Sequence, residues 1–571
     1  MKRLAIFDPA NGKQPMSTSD QRHHIVFNGA IYNHQELRSL LEAEGCKFKT
    51  KCDTEVLLQA WVRWGEDALV RMRGMFAFAV WDRREERLVL VRDPLGIKPL
   101  YFTQSDGNLI FASELNSLRA SRFFDAKVDP LAVDEYLRNL AVPAPRTLFK
   151  NANSLLPGEI AEWRSGRLSL RRYWRLPETK VARASNEEDF TLELRRKLED
   201  SIAVHRLADV PVGAFLSGGL DSAVVAGLMS RGRPKPLKTF SIGFEEEMYS
   251  EAAFAAESAA HFGSDHHAIV LTGEAAAEKL PQFIASLDQP TGDGLNTFVV
   301  AEAARQGGVT VALSGLGGDE LFGGYPQFKQ TPLVARWLPW WRAIPRIMKA
   351  PVLNRLEHGS TRARRLADVL RNARDIHDIA DYQRQVLSDP ARNRLLAHPI
   401  SPHRHATHEE IRESTKGMTA EEIVSVWEIK TYMSDVLLRD SDVFSMRASL
   451  ELRVPLVDRV LVEWLVQQDP RLRFNPRRPK GALSNAVSDI LPPGLLDRRK
   501  QGFTFPFPRW MRGPLKPFLE ESLSREAINR TGVLNPTEVQ RYWTKFINGS
   551  DDKDWSRVWS LAVLSAFINR A

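Results

Sequence analysis

The stretch FLSGGLDSAVV, at residues 215–225, joins an apolar strand to a helix through a short glycine-rich loop. Glycines without a Cβ let backbone N–H groups approach phosphate oxygens, and the N-terminus of the helix adds partial positive charge. The loop has neither the lysine of a Walker loop nor the spacing of a dinucleotide fingerprint. Asp221 instead puts a carboxylate beside the phosphates, which requires a divalent cation between them. The stretch predicts a phosphate-binding loop, although a tight turn with a capping Ser or Asp fits the same letters.

A second stretch repeats this design. GVTVALSGLGGDELFGGY, at residues 308–325, reads as a strand, a glycine-rich loop and an acidic pair, Asp319 and Glu320. Between the two stretches short apolar runs alternate with helical segments, which indicates a doubly wound parallel sheet. Loops at the carboxyl ends of parallel strands lie along one edge of the sheet, where ligands bind. Asp221 and Asp319 are therefore predicted to hold one Mg²⁺ between them.

The rest of the chain divides into two further parts. From about residue 3 to residue 163, alternating apolar residues, aromatics and Asp-Gly or Asn-Gly turns predict antiparallel sheets with a helix or two. Near residue 185 the rhythm changes, and apolar residues recur on one helical face at Phe190, Leu194, Leu198 and Ile202. Beyond residue 326 the chain is predicted to be mostly helical. The predicted fold class is an α+β module, then an α/β module with a helical extension.

Composition restricts the partners. The 571 residues carry 79 Lys and Arg against 71 Asp and Glu, a formal charge of +8. Because no basic run is interleaved with aromatics, this charge is interpreted as ordinary surface charge, and no nucleic-acid partner is predicted. Two cysteines, Cys46 and Cys52, cannot form a disulfide framework, which predicts a cytoplasmic location.

No apolar run is long enough to span a membrane. The most membrane-like segment is LVARWLPWWRAIPRIMK, at residues 333–349, in which three tryptophans lie among arginines. One interpretation is a helix that lies on a bilayer surface. The favoured prediction is a helix pair broken at Pro339 and Pro345 and packed on its own domain.

Many stretches, in order along nearly the whole chain, resemble the asparagine synthetase family: SGGLDS, SGLGGDELFGGY, FNGAIYNHQELR, RGMFAFAVWD, RDPLGIKPLYF, DVLLRDSDVFSM, ELRVPLVD and KQGFTFPFPRWM. The resemblance implies a partial class II glutamine amidotransferase (glutaminase) domain at residues 1–165. It implies an ATP-pyrophosphatase domain at residues 185–571, with a nucleotide core to about residue 330. The implied reaction has two steps. Mg-ATP adenylates a carboxylate, aspartate in the type member, with release of pyrophosphate, and ammonia then displaces AMP to give the amide.

The resemblance also assigns roles to single residues. Those that would grip the pyrophosphate are Ser217, Gly218, Gly219, Asp221 and Ser222, and Asp221 and Asp319 would hold Mg²⁺. Those that would line the adenylate are Leu216, Ile242, Ser314 and Gly315. Lys480 matches the family lysine that neutralises charge at the reacting phosphate and carboxyl, although alone it reads as a surface lysine at a helix start. Other acids in matching motifs are given architectural roles only: Asp288, Asp293, Asp435 and Glu451.

The N-terminal domain departs from the family pattern. The family nucleophile is a cysteine directly after the initiator methionine, with its freed amino group as base, whereas this chain has Lys2. Cys52 has no such amine and is interpreted as a packed thiol, so the chain as written is not expected to hydrolyse glutamine. Residues matching the glutamine pocket nevertheless remain: Arg3, Asn28, Gly29 and Asp53, with Ala30 replacing a glutamate. Of two explanations, a true truncation and a start assigned too far downstream, their retention favours the second.

Leu316 is the second departure. Asparagine synthetases have a glutamate in this slot and β-lactam synthetases a tyrosine, and a leucine can neither take a proton nor orient an amine. The leading hypothesis is an AMP-forming ligase that amidates aspartate, or another carboxylate, with ammonia, taken from glutamine in the native full-length form. A β-lactam synthetase or peptide-cyclase relative with a tethered amine is the nearest alternative, and an inactive scaffolding paralogue is a third. A homodimer is compatible with the family, but no heptad or patch in the sequence supports a stoichiometry.

Overall fold

The computed structural model describes the chain except residues 1–3, 5, 179–185, 233–234, 360, 402, 404, 476–477, 499–504, 550–551 and 571, and except the side chains of residues 361–362. Arg3, predicted to bind glutamine, lies outside the described residues, as does the KQGFT part of the last motif. In the part that is described, no helix is long and apolar enough to cross a membrane.

Antiparallel strands form the N-terminal part, as predicted. They are β1 (Met16–Ser17), β2 (His23–Ile31), β3 (Gly74–Asp82), β4 (Arg87–Arg92), β5 (Tyr101–Ser105), β6 (Asn108–Ala112), β7 (Ala152–Ser154), β8 (Glu159–Arg164) and β9 (Arg167–Arg172). One sheet has the order β1-β2-β3-β4-β8-β9 and a second the order β6-β5-β7.

The alternating sequence of β3 explains how these layers stack. Phe76 and Phe78 face the cluster formed with the helices at His34–Ala43 and Asp53–Trp64. The small residues between them, Ala77 and Ala79, face the second sheet and pack near Phe102. Because side chains alternate along a strand, the large ones fill the helix layer and the small ones let the two sheets approach.

The six-stranded sheet continues past residue 165, where the sequence placed the end of this domain. β8 and β9 form a hairpin around Ser165 and Gly166, which have φ values of 50° and 76°. Both central positions of a tight two-residue hairpin favour such positive φ values. The turn therefore adds a strand to the sheet instead of ending it.

A parallel sheet forms the centre of the second part. Its strands are β10 (Val212–Phe215), β11 (Lys238–Phe244), β12 (Asp265–Leu271), β13 (Val311–Leu313) and β14 (Glu451–Arg453), in the order β12-β11-β10-β13-β14. β10 pairs with β13 in register Ala214↔Leu313. The loops that follow these two strands therefore start side by side.

β14 lies in the region that was predicted to be mostly helical. It is three residues long, and its charged ends form a buried ion pair in which Arg453 Nε lies 2.8 Å from Glu451 Oε1. The strand is fixed by parallel pairing with β13, which lies far away in sequence. A three-residue strand with two charged residues carries no local periodicity from which it could be recognised.

Helices make up most of the remainder. They are α1 (His34–Ala43), α2 (Asp53–Trp64), α3 (Asp67–Arg71), α4 (Leu115–Arg119), α5 (Pro130–Asn139), α6 (Glu187–His205), α7 (Leu220–Ser230), α8 (Ala252–His261), α9 (Gly273–Ser286), α10 (Leu295–Gln306), α11 (Gly318–Phe322), α12 (Gln327–Ala343), α13 (Arg346–Glu357), α14 (Thr361–Asn372), α15 (Ile376–Arg384), α16 (Asp389–Leu395), α17 (Ala406–Ser414), α18 (Ala420–Glu428), α19 (Arg439–Arg447), α20 (Arg459–Val466), α21 (Pro470–Arg473), α22 (Gly481–Ala486), α23 (Phe507–Arg512), α24 (Lys516–Ser522), α25 (Arg525–Thr531), α26 (Pro536–Asn548) and α27 (Trp555–Asn569). A π-helix spans Ile429–Leu438, and short 3₁₀ helices span Pro455–Val457, Leu495–Asp497 and Asp552–Asp554.

Helix α6 confirms the stripe predicted from the sequence. Its four apolar positions, Phe190, Leu194, Leu198 and Ile202, are all buried. The helix begins after Asn186, whose side chain accepts a hydrogen bond from the Asp189 N–H. This cap and the apolar face fix α6 against the core that contains Ala214 of β10.

Helix α12 corrects a prediction. It runs through Pro332 and Pro339, and the chain is broken only at Pro345, before α13. Pro339 lies on the exposed side of the helix, where water can bind the carbonyl of residue 335, which has no N–H partner because proline lacks one. The buried side of α12 packs on α14 and α15 through Leu338.

The N-terminal and C-terminal parts share one hydrophobic core. Ile6, Phe7 and Tyr32 belong to the same buried cluster as Leu216 at the end of β10. Buried ion pairs cross the same boundary, among them Lys98 Nζ to Asp442 Oδ1 at 2.6 Å. Because a buried charge is costly unless it is paired, these contacts fix the position of one part relative to the other.

Candidate active site

The two glycine-rich loops meet in direct backbone contact. A Cβ on Gly315 would lie 2.5 Å from the carbonyl carbon of Asp221, and a Cβ on Gly318 would lie 2.3 Å from its Oδ1. No ordinary side chain fits at such distances. The glycines of the second loop are therefore required for it to pack on the first.

The loop after β10 is held by its own serines. The Ser217 N–H donates to Ser222 Oγ at 3.1 Å, and the two hydroxyl oxygens lie 2.9 Å apart. The Gly219 N–H donates to Ser217 Oγ at 3.2 Å, and α7 begins at the next residue. A Cβ on Gly218 would lie 2.7 Å from Cβ of Phe254. This arrangement keeps the loop in one conformation at a helix N-terminus, which suits an anion.

Lys480 lies between the two aspartates that the sequence singled out. Its Nζ donates a hydrogen bond to the Asp221 carboxylate and lies 2.6 Å from Asp319 Oδ1. A Cβ on Gly324 would lie 2.3 Å from Lys480 Cε, so this glycine makes room for the lysine chain. Burial alone would lower the pKa of Lys480, but both carboxylates outweigh it and raise the pKa above its usual value. The lysine therefore stays protonated and acts as a fixed positive charge, not as a base.

The donor set beside this lysine fits a nucleotide-bound Mg²⁺. Among the described residues, no group of three or more His, Cys, Asp or Glu side chains is placed to hold a metal. Asp221 and Asp319 provide two carboxylates, which is the usual protein contribution when phosphates and waters complete the shell of Mg²⁺. In this structure the Lys480 ammonium occupies the position between them. The site therefore suits a cation that arrives with phosphates rather than a resident metal.

A cavity of about 260 Å³ opens beside the two loops. Four of the predicted nucleotide residues line it: Leu216, Ser217, Ile242 and Ser314. Leu316 lines the same cavity, so the residue that departs from the family pattern faces the site. The walls are mainly apolar at the level of β10 and β11, which suits the flat faces of a base.

A second cavity, of about 310 Å³, adjoins the first. Asp293 and Val436 line both. The Asp293 side chain is accessible from these cavities, and desolvation by the surrounding protein raises its pKa above the usual value. Arg384 also lines the second cavity, and its Nε donates to Glu428 Oε1 at 2.9 Å. Asp293 was predicted to have an architectural role only. Its motif has no periodicity that shows which way the side chain points.

A third cavity, of about 710 Å³, lies in the N-terminal part. It is lined by Asn28, Gly29 and Asp53 and reaches Glu451 of β14. Gly29 has φ of 144°, and a Cβ there would lie 2.1 Å from the Met75 carbonyl oxygen. The three described residues of the predicted glutamine pocket thus share one cavity, away from Lys480.

The two cysteines do not line this cavity. Cys52 is buried, and its Sγ lies 3.0 Å from Thr50 Oγ1. Burial raises the pKa of the Cys52 thiol, which keeps it protonated. A protonated, buried thiol is a poor nucleophile, in agreement with its interpretation as a packing residue.

Two of the acids given architectural roles tie segments together. Asp288 Oδ1 accepts from the Asn116 N–H at 2.8 Å, and Asp435 Oδ1 accepts from the Ala144 N–H at 3.2 Å. Both bonds connect the N-terminal part to the second part. Burial raises the pKa of Asp288 to about 6 and that of Asp435 to about 7.

Known protein families match both parts of this chain. The sequence profile described as asparagine synthase matches residues 193–569. The chain belongs to the asparagine synthase family. A profile described as a glutamine amidotransferase domain matches residues 1–174. The family resemblance read from the motifs is thereby confirmed, and the chain is an enzyme of the amidotransferase type.

Relatives of this asparagine synthase family member align with it over most of its length. A Bacillus subtilis protein named asparagine synthetase [glutamine-hydrolyzing] 1 is 34% identical, over 94% of this chain and 85% of its own. A Mycobacterium bovis protein named putative asparagine synthetase [glutamine-hydrolyzing] is 33% identical, over 98% and 87%. A Penicillium rubens protein named amidase chyE is 27% identical, over 95% and 86%.

The buried acid Glu320, next to Asp319, predicts how the stability of this family member changes with pH. Burial, with the Asp319 charge, raises the pKa of Glu320 from 4.5 to about 7, and the Tyr325 hydroxyl donates to its Oε1 at 2.6 Å. Because the pKa of Glu320 is higher in the folded than in the unfolded state, protonated Glu320 stabilises the folded state below pH 4.5. This contribution to the free energy of unfolding is lost as the pH rises through 7. We expect the wild type to lose about 3 kcal/mol of unfolding free energy as the pH rises from 4.5 to 7, and the Glu320→Gln variant not to show this loss.

Urea unfolding of the wild type and the Glu320→Gln variant between pH 5 and pH 8 measures this difference. The exposed Glu278, replaced by Gln, is the matched control and should follow the wild type. Parallel stability profiles for wild type and Glu320→Gln would show that Glu320 titrates normally.

Proposed function

We propose that this protein adenylates a carboxylate substrate, with aspartate as the first candidate, and then converts it to the amide. In the first step a carboxylate oxygen attacks the α-phosphorus of ATP and pyrophosphate leaves. In the second, ammonia attacks the acyl carbon, AMP leaves with the bonding electron pair, and a base accepts the proton. ATP and Mg²⁺ are the proposed nucleotide substrate and cofactor.

The arrangement of Lys480 between Asp221 and Asp319 is the observation that carries the proposal. A protonated, buried lysine at the meeting point of two anion-binding loops offers charge stabilisation where a phosphoryl group and a carboxylate react. The same position suits the pentavalent α-phosphorus, on which negative charge accumulates. We assign Lys480 this electrostatic role.

We propose roles for the remaining nucleotide residues from the family resemblance. The proposed pyrophosphate residues are Ser217, Gly218, Gly219, Asp221 and Ser222, and the proposed adenylate residues are Leu216, Ile242, Ser314 and Gly315. Bound Mg²⁺ would neutralise phosphate charge and would be held by Asp221 and Asp319. In this proposal they belong to a doubly wound ATP-pyrophosphatase domain at residues 185–571, which follows a glutaminase-type domain at residues 1–165.

The acceptor is proposed to bind in the second cavity. Its shared boundary with the nucleotide cavity, at Asp293 and Val436, would bring an acceptor carboxylate next to the adenylate. Leu316 cannot accept a proton, whereas Asp293 faces both cavities and has a raised pKa. We therefore propose Asp293 as the base that takes the proton from the attacking amine.

The nitrogen source is proposed to be ammonia. The N-terminal cavity that contains Asn28, Gly29 and Asp53 supports the proposal that this ammonia comes from glutamine bound there. Neither Cys46 nor Cys52 lines the cavity, so neither is proposed as the nucleophile. Its extension to Glu451 leads toward the second part of the chain. We expect ammonium to support the reaction in the test below.

The experiment is pyrophosphate release by the purified chain with Mg-ATP, aspartate and either ammonium or glutamine. Pyrophosphate and asparagine in equal amounts with ammonium is the expected result. Release with a longer or amine-bearing carboxylate but not with aspartate would favour the tethered-amine alternative, which the apolar Leu316 supports. No release with any carboxylate, from folded protein, would reject the adenylation proposal.

Replacement of Asp293 separates the two steps. Asp293→Asn should lower amide formation by about a hundredfold, because the base is lost, while the pyrophosphate released in the first turnover falls much less. The measurement is the ratio of amide to pyrophosphate formed with ammonium. Ser441→Ala, at another polar side chain of the nucleotide cavity, is the control. An unchanged ratio in Asp293→Asn would remove Asp293 from the second step.

A further inference from the structure

The surface formed by α12 and α13 carries large apolar side chains that nothing in the described chain covers. On α12 they are Leu333, Trp337 and Trp340, Ile344 follows directly after this helix, and on α13 they are Ile347, Met348 and Val352. Trp340 is 72% exposed and Ile347 88% exposed. Helix α13 buries none of its side chains. We call this surface the α12–α13 patch.

The spacing on α12 puts these residues on one face. Positions 333, 337 and 340 repeat at intervals of four and three, which is one stripe of a helix. The opposite face holds the helix on its own domain through Leu338, which packs with Val369 and Ile379. The stripe is therefore not the side on which α12 packs, and α13 continues it after Pro345.

Positive charge surrounds the apolar stripe. Residues 327–357 contain six Lys or Arg and one Glu: Lys329, Arg336, Arg342, Arg346, Lys349, Arg355 and Glu357. Lys329, Arg336 and Arg346 are exposed and form no ion pair with a described residue. Glu357 is itself paired with Arg371. The local excess of positive charge is therefore not neutralised by the protein.

We propose that the α12–α13 patch docks this protein on the surface of an anionic lipid bilayer. Tryptophans favour the boundary between headgroups and acyl chains, Ile and Met side chains reach the acyl region, and Lys and Arg pair with anionic headgroups. The helices would lie in the plane of the surface. No helix crosses the bilayer in this arrangement.

A second copy of the chain fits this patch less well. In a two-fold dimer the same surface faces itself, so the unpaired cations of one copy would face those of the other. Anionic lipid supplies the opposite charge and an apolar phase together. The proposal is independent of the catalytic assignment, since no residue of the patch lines the nucleotide cavity or the acceptor cavity.

Cosedimentation of the full chain with vesicles tests the proposal. We expect binding to phosphatidylcholine vesicles that contain phosphatidylglycerol to be about tenfold or more tighter than to phosphatidylcholine alone, and to weaken at high salt. A variant with Trp337→Ser, Trp340→Ser and Ile347→Ser should lose about tenfold or more of the affinity for the anionic vesicles. A second variant, with Lys329→Gln, Arg336→Gln and Arg346→Gln, should lose the preference for anionic lipid.

Matched controls replace exposed residues outside the patch. Leu192→Ser on α6 removes an apolar side chain that is 65% exposed, and Arg525→Gln with Arg530→Gln removes exposed cations of α25. Both controls should bind as the wild type does, and all variants should release pyrophosphate at the wild-type rate. The proposal is overturned if anionic vesicles do not bind the wild type, or bind it and the Trp–Ile variant equally. It is also overturned if the patch substitutions abolish a dimer in solution, which would assign the surface to a second copy.

Discussion

Replacement of Lys480 by Met should reduce pyrophosphate release by about a hundredfold to a thousandfold, the usual cost of removing one preorganised group that stabilises a developing charge. Lys480 is the cation between Asp221 and Asp319, so its loss leaves two carboxylates facing the incoming phosphates. Nucleotide binding should be affected less, because the cavity that contains Leu216 and Ile242 does not include Lys480. The measurement is the rate of pyrophosphate release at saturating Mg-ATP, with nucleotide affinity determined separately.

Arg478 provides the matched control for this variant. It is a cation two residues away that is exposed and faces no acid of the site. Arg478→Met should keep the wild-type rate. If Lys480→Met also keeps that rate while the protein stays folded, Lys480 has only a structural role in pairing the two aspartates.

Replacement of Asp221 by Asn should reduce turnover by about a hundredfold or more, because one of the two carboxylates proposed to hold Mg²⁺ is lost. The dependence of the rate on Mg²⁺ concentration should shift to higher concentration, a change that a merely structural defect would not produce. The same shift is expected for Asp319→Asn, whereas Glu278→Gln, at an exposed acid of α9, should behave as the wild type. Unchanged Mg²⁺ dependence in both aspartate variants would contradict the assignment of the metal.

The loops could be recognised from sequence because their chemistry is local. Within a few residues, SGGLDS and SGLGGDE combine a strand end, glycines and an acid, and the reason for the glycines is visible in the contact of Gly315 and Gly318 with Asp221. The helical stripe of α6 was predicted for the same reason, since periodicity is a property of one segment. The meeting of the loops followed from the parallel order of β10 and β13.

Features set by distant contacts could not be predicted in this way. β14 is a strand only because β13 pairs with it, and the direction of the Asp293 side chain depends on the packing around two cavities. Proline chemistry predicted a break at Pro339, but the solvent-exposed side of α12 tolerates the ring. Lys480 was identified only through the family resemblance, because alone it reads as a surface lysine and its partners lie in loops far away in sequence.

The fate of a carboxylate oxygen shows whether the acceptor carboxylate attacks ATP. The enzyme would be given Mg-ATP, ammonium and aspartate whose side-chain carboxylate carries heavy oxygen. We expect one labelled oxygen per turnover in the phosphate of AMP, because AMP leaves with the oxygen that attacked the phosphorus. Unlabelled AMP, or ADP with the label in inorganic phosphate, would contradict this expectation.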